Sequence, residues 1–460
     1  MASLSRRHFL GTAALTGAGA LLAACGAQAG TGAMEEAAAP EDDGDSGEMM
    51  MEKSPVVFWY TGIAPWNFDN EELPLQLRAE FDETTNYTLV PLVRGNGGFN
   101  DLPTVVAAGV APDNSKTQSY IQPQWGLIEL VRPLDAYIAA SANVSLDDLW
   151  PGKYEAMQWA GKTYGISYSI DARIIYLNVD HSLEAGLDPE TPPASRDEMD
   201  EALLKVHKTD GDNIVRLGWD PFRGSGGIHT WMAGYWQQGG EMLSPDRTKI
   251  QVNNDLAINT VTWLKKVLDG QGGYDKVREF HGTFENRLQE YGSGGNTYMY
   301  LTNATRTSMA PYAEGLNYDF GPYPALDPST ALPATYSGDW AFCLPNGSSN
   351  PDGGFAWADF MYGAEVNLRW SIAMDRIPVR QSVAQSDAYI GDDKLRKLAI
   401  DEMVGARFVV SVPGAGDILP ITSRNLQSIM RNEVTVAEGM RNFEEQAQTA
   451  MDEFIAEFGG

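Results

Sequence analysis

Between Pro55 and Tyr60 the chain reads Pro-Val-Val-Phe-Trp-Tyr, with no polar residue interrupting the apolar run. Such a run predicts a strand buried on both faces. The loop Thr61-Gly62-Ile63-Ala64-Pro65-Trp66 follows, and Leu73, Leu75, Leu77 and Phe81 then mark a helix over Glu71–Phe81. A second strand is expected at Tyr87–Leu92 and a second helix at Leu102–Ala108. Strands alternating with helices in this way predict an α/β fold with a mostly parallel sheet covered on both faces.

The same grammar returns further along without any repeat of sequence. Ser195-Arg196-Asp197-Glu198 is a capping box that opens a helix through Met199, Leu203, Leu204 and Val206. Asn254 is placed to cap a helix whose apolar positions are Ala257, Ile258, Val261, Leu264 and Leu268, stopped by Gly270. Strands are expected at Tyr298–Leu301 and Trp340–Leu344. With 460 residues, the chain is long enough for two or three domains with large cores.

The pattern before Pro55 is of another kind. Ser5-Arg6-Arg7-His8-Phe9-Leu10 is a twin-arginine motif, followed by a Gly/Ala/Leu run too short to span a membrane. Leu22-Ala23-Ala24-Cys25 has the form of a lipobox, so residues 1–24 read as a lipoprotein signal peptide and Cys25 as the lipidated residue. Residues 25–55 hold eight acidic residues and one lysine, the composition of a disordered tether. A coil of that length spans roughly 30 Å, enough to hold a folded body clear of a membrane. If Cys25 carries lipid, Cys343 has no partner and is expected to be a small buried hydrophobe.

Charge narrows the choice of partners. Asp and Glu number 62 against 33 Lys and Arg, a formal charge of −29. That field repels phosphate backbones and argues against nucleic acid as a ligand. The five histidines, at 8, 181, 207, 229 and 281, never fall at metal-ligand spacing, so no metal site is expected. Cofactor and catalytic motifs fail as well. Ala156–Thr163 approaches a P-loop but lacks its first glycine and leads into a strand pattern, which makes Gly161-Lys162 a hairpin turn. Neither G-x-S-x-G nor G-x-G-x-x-G occurs, and 62 carboxylates leave no pair distinctive, Asp171, Asp220 and Asp339 included. No enzyme activity and no cofactor are expected. Aromatic residues are abundant, with 12 Trp, 19 Tyr and 16 Phe, and Trp66, Trp125, Trp219, Trp231, Trp236 and Tyr336 fall in or beside expected loops. Such faces serve a core or stack on sugar rings, and composition does not choose between these uses.

Six segments in order carry a family resemblance. Ala160-Gly161-Lys162-Thr163-Tyr164-Gly165-Ile166 resembles a G-K-x-Y-G-x-P run, with Ser167 where proline is usual, and Ile174-Ile175-Tyr176-Leu177-Asn178 resembles an L-x-Y-N strand. Glu184–Pro189 with Pro192–Glu198 resembles E-A-G-L-x-P…P-P-x-T-W-D-E, Ser195 and Arg196 standing for Thr and Trp. Gly239-Gly240-Glu241, Ser337-Gly338-Asp339-Trp340 and Asp375–Arg380 complete the set. Together, over residues 56–458, they are similar to the extracellular solute-binding proteins of ABC importers, in the family-1, maltose-binding-like class.

The resemblance implies a two-lobe periplasmic-binding-protein-like fold of type II, each lobe a sheet flanked by helices. One lobe would comprise residues 56–168 and 341–385, the other 172–336 and 386–458. Hinge crossings are implied near Tyr168–Asp171, Ser337–Asp339 and Gln381–Gln385. The implied activity is binding of a carbohydrate between the lobes and delivery to ABC permease subunits, by a monomer held outside the cytoplasm on its lipid anchor. The cleft residues implied are Trp66, Ser119, Tyr120, Tyr168, Asp171, Trp231, Asn303, Arg306, Asp339, Trp340 and Arg376, with Trp231 as sugar platform. An extracellular carbohydrate-active enzyme, or a sensor on the same fold, is the competing reading.

Overall fold

A computed structural model describes residues 53–459 apart from 62–67, 69–70, 95–97, 224–226, 286–289, 292–294, 306–314, 334 and 409–410. The expected signal segment, Cys25, most of the expected tether, Trp66 and Arg306 lie outside the described residues.

The apolar run forms strand β1 (Ser54–Thr61), which lies between β2 (Tyr87–Arg94) and β3 (Asn114–Gln118) and runs parallel to both. The helix that links β1 to β2 spans Glu72–Thr84, and its Leu77 and Phe81 join Val56, Phe58 and Leu89 in one core. β4 (Ile166–Ile170) belongs to the same sheet. The chain then leaves it. β5 (Arg173–Asn178), β6 (Lys208–Asp210), β7 (Asn213–Trp219), β8 (Thr297–Asn303) and β9 (Tyr318–Gly321) build a second sheet. β10 (Tyr336–Ser337) stands outside both, β11 (Asp339–Cys343) and β12 (Ile377–Pro378) return to the first, and β13 (Arg407–Phe408) pairs with β10. The strand orders are β12-β4-β11-β3-β1-β2 and β9-β5-β8-β7-β6.

The expectation of a mostly parallel sheet needs correction. Among the described residues, the parallel pairs within the two sheets are β1–β2, β1–β3 and β7–β8, the short β10–β13 pair outside them is parallel too, and β11 runs antiparallel to both β3 and β4. The cause is the connectivity. β11 re-enters at the edge where β4 leaves, so it must run back against its neighbours with no crossover helix. The local elements follow the sequence closely. Ser195 Oγ accepts from Glu198 N at 3.1 Å and the Glu198 carboxylate accepts from Ser195 N at 3.0 Å, opening the helix Arg196–Val206. Asn254 caps Asp255–Asp269 through Ala257 N. Gln158–Trp159 and Lys162–Thr163 form the expected hairpin, whose turn residues Ala160 and Gly161 both have positive φ, at 49° and 74°. Leu204, counted with the apolar face, is instead 77% exposed.

Phe58, Leu77, Tyr168, Phe342 and Trp357 fill one face of the first sheet, and a large cluster running from Ile175 to Met451 fills the second lobe. The helical stretch between 381 and 403 falls on neither side alone. Its Ala384, Tyr389, Leu395 and Ala399 pack with Ile166 and Ile170 of the first sheet and with Ile174 and Tyr176 of the second. Cys343 is fully buried, and burial pushes its thiol up to about 12, as suits an inert packing residue. No helix among the described residues is long and apolar enough to cross a membrane.

Candidate functional site

The two sheets present like edges to each other. In the first, register sets Gln118, the last residue of β3, opposite Trp340, and sets Ile170, the last of β4, opposite Asp339 and Ile377. In the second, β8 ends at Asn303 opposite Arg173, the first residue of β5. Open α/β sheets bind ligands outside the carboxyl ends of their strands. Here both such edges meet at Asp171, where the chain passes from one sheet to the other.

Asp171 ties the two crossings together. Its Oδ1 accepts from Gly338 N at 3.0 Å and lies 2.7 Å from Arg173 Nη1, and its own N donates to Gly338 O. Its Oδ2 reaches Arg376 Nη1 only at 4.0 Å. The Arg173 guanidinium sits 5.2 Å from the Tyr336 ring, and that ring packs on His229 at 3.9 Å. On the first lobe, Lys116 Nζ lies 4.8 Å from the partly buried Trp340 ring and 5.9 Å from Tyr168. Burial, helped by the Arg376 charge, pulls the Lys116 ammonium down to about 7. Burial and the Arg173 charge hold His229 well below the usual imidazole range, so it is neutral at pH 7.

Several expected cleft residues thus converge on one place: Asp171, Trp340 and Arg376, with Asn303 at the end of β8 and the backbone of Asp339 opposite Ile170. The Asp339 side chain is outside the description. Ser119 is buried and accepts from Lys153 Nζ at 3.4 Å, while Tyr120 reaches from the first lobe to pack against the core of the second. Two expectations are corrected. Tyr168 is 1% exposed, with its ring stacked on Phe342 at 4.4 Å and edge-on to Trp370, inside the first core. Trp231 is 0% exposed, stacked on Tyr235 at 5.5 Å and edge-on to Phe443. Its helix, Ile228–Trp236, is buried almost all round, and the residue it offers to the hinge is His229. Sequence reasoning missed both His229 and Lys116.

Asp220 is consumed locally. It accepts from Phe222 N, pairs with Arg278 and lies 2.9 Å from His281 Nε2, whose Nδ1 is 2.7 Å from Glu290. The lobes also meet at Arg247, which donates to Glu155 O at 2.8 Å and Gln158 O at 3.3 Å on one side and to Ser411 O on the other. Beside it lies a cavity of about 640 Å³ between Glu155 and Ala156 of the first lobe and Trp236, Met242 and Phe408. None of the described cleft residues expected from the sequence lines that cavity, and its two arginines are already engaged, Arg247 with three carbonyls and Arg407 with Glu241. The strand-edge cluster is therefore the better candidate site.

Comparison with known proteins agrees with this architecture. The family model described as bacterial extracellular solute-binding protein matches residues 76–397. The chain belongs to that family. A binding protein of Brucella abortus is 25% identical over 358 residues, covering 75% of this chain and 80% of that one. Among solved structures, a solute-binding protein of an ABC transporter from Thermotoga lettingae, bound with α-D-tagatose, superposes with a TM-score of 0.71 at 17% identity. It covers 87% of this chain and 100% of that one. The cyclic α-maltosyl-1,6-maltose binding protein of Arthrobacter globiformis gives 0.72 at 18% identity, with the same coverage. At these identities the likeness fixes the two-lobe fold shared with sugar-binding members of the family.

Proposed function

We propose that this family member is the ligand receptor of an ABC importer, a lipoprotein anchored through Cys25 outside the cytoplasm that binds a carbohydrate between its lobes without turnover. The observation that carries the reading is the meeting of the two strand edges around Asp171 and Trp340. An aromatic face beside hydrogen-bonding and charged groups suits a sugar ring, whose C–H face stacks while its hydroxyls need partners. Solved relatives of the same fold hold tagatose and mannobiose, which supports a saccharide.

In this reading Trp340 stacks on a ring and Asp171, Asn303 and Asp339 accept or donate to its hydroxyls. Ser119 and Tyr120 line the first-lobe wall, and Trp66 and Arg306, which lie outside the described residues, are assigned to the ligand by the family resemblance alone. A ligand touching both lobes favours the closed form, which the permease subunits then recognise, and the receptor works as a monomer.

A thermal-shift screen over neutral and acidic saccharides tests this. A true ligand at 100 times its Kd stabilises by about 2.7 kcal/mol and raises Tm accordingly. Release of product from any saccharide would instead favour the enzyme. Anchoring is tested by Cys25→Ala, expected to free the protein from membranes or leave its precursor uncleaved, with an unchanged membrane fraction contradicting it.

A further inference from the structure

Two arginines lean on one carboxylate at the meeting of the strand edges. Asp171 spends Oδ1 on Arg173 and Gly338 N, so its attraction for Arg376 is left to Oδ2, 4.0 Å away. That separation is an ion pair without a hydrogen bond. The Arg376 backbone is firmly fixed, its N donating to Ser371 O and its O accepting from Tyr389 OH. The guanidinium is not: no described side chain accepts a hydrogen bond from it, although it is only 22% exposed. A guanidinium fixed at its root, mostly withdrawn from water and with its planar fork uncommitted is arranged to receive a bidentate anion.

The local charge favours an anion. Arg173 and Arg376 stand against Asp171, with Lys116 beside Arg376, so this edge is net positive and a carboxylate would be received there more readily than a neutral hydroxyl. Arg376 also lies next to the stretch that pairs Ile377 with Ile170, on the same sheet edge as Trp340, so an anionic substituent would be read beside the stacked ring.

Resting on the carbohydrate reading, we propose that the ligand is an acidic saccharide, a uronic-acid sugar whose carboxylate is held by the fork of Arg376. The test is titration calorimetry of the purified chain with uronic-acid disaccharides of gluco, galacto and manno configuration, each set against its neutral parent. At least one acidic member should bind about ten- to a hundredfold more tightly than its parent, the worth of a charge-assisted bond. That preference should disappear in Arg376→Gln, return in part in Arg376→Lys, and fall with added salt. The Tm of the ligand-free Arg376→Gln protein should change little, because the side chain has only the 4.0 Å ion pair with Asp171 to lose. Neutral parents binding as well as the acids would overturn the acidic ligand and leave the carbohydrate reading standing. An acid preference that survives Arg376→Gln would overturn the role of Arg376, and no binding across the panel would overturn both readings.

Discussion

Trp231→Ala is expected to cost the second lobe about 3–5 kcal/mol of stability, the usual range for removing a fully buried Trp or Phe. The ring is 0% exposed and held between Tyr235 and Phe443, in a helix whose other large residues are buried as well. Truncation leaves a cavity that no neighbour can fill without moving. Trp231→Phe keeps most of that packing and sheds an indole N–H that is buried without a hydrogen-bond partner, so it should cost far less. Urea unfolding of the three proteins measures the difference. Below the melting range, ligand affinity should be the same in all three. A Trp231→Ala protein with normal stability and lost affinity would return this residue to the cleft.

Lys116 gives the second large effect. The unfolded chain holds this proton up to about 10.5, whereas the folded chain releases it near 7. Between those values the unfolded state binds more protons, so raising the pH favours the fold. The window from pH 7 to 9 is the informative one, because above 9 the Cys343 thiol, raised by burial, begins to act in the opposite direction. Over that window Lys116 should add about 2–3 kcal/mol, at 1.36 kcal/mol per unit. Unfolding free energy measured against pH should rise across the window in the parent and stay flatter in Lys116→Met. Parallel slopes in the two proteins would mean that Lys116 keeps its proton in the folded state.

These two residues also mark what the sequence could and could not tell. Elements with clear apolar periodicity or caps were legible: β1, the capping box at Ser195 and the Asn254 cap all stand where the pattern puts them. Strand β3 was not. Asn114-Ser115-Lys116-Thr117-Gln118 is polar at every position, yet its first four residues are buried between β1 and β11. Side-chain hydrogen bonds hold it there, although Asn114 Oδ1 is buried without a partner. Asn114 donates to Gly354 O at 2.8 Å, and Thr117 Oγ1 accepts from Gln122 at 2.7 Å. Hydrophobic patterning has no signal for that.

Trp231 failed for the opposite reason. The family resemblance implied a cleft-facing aromatic beside an expected loop, but Ile-His-Thr-Trp-Met-Ala-Gly-Tyr-Trp is apolar nearly all round, the composition of a helix with no solvent face. The hinge cluster was legible in part. Ser337-Gly338-Asp339-Trp340 and Asp375-Arg376 were visible as segments, while the grouping of Arg173, Asp171 and Arg376 depends on contacts far apart in sequence.

The central claim is that two lobes close on a ligand at the strand edges around Asp171. Small-angle X-ray scattering with and without a saturating saccharide tests it most directly, since contacts to both lobes must stabilise the more compact arrangement. The account predicts a smaller radius of gyration with ligand, and a smaller change in Asp171→Ala, whose crossings have lost their tie. An identical radius of gyration with and without bound ligand would contradict it.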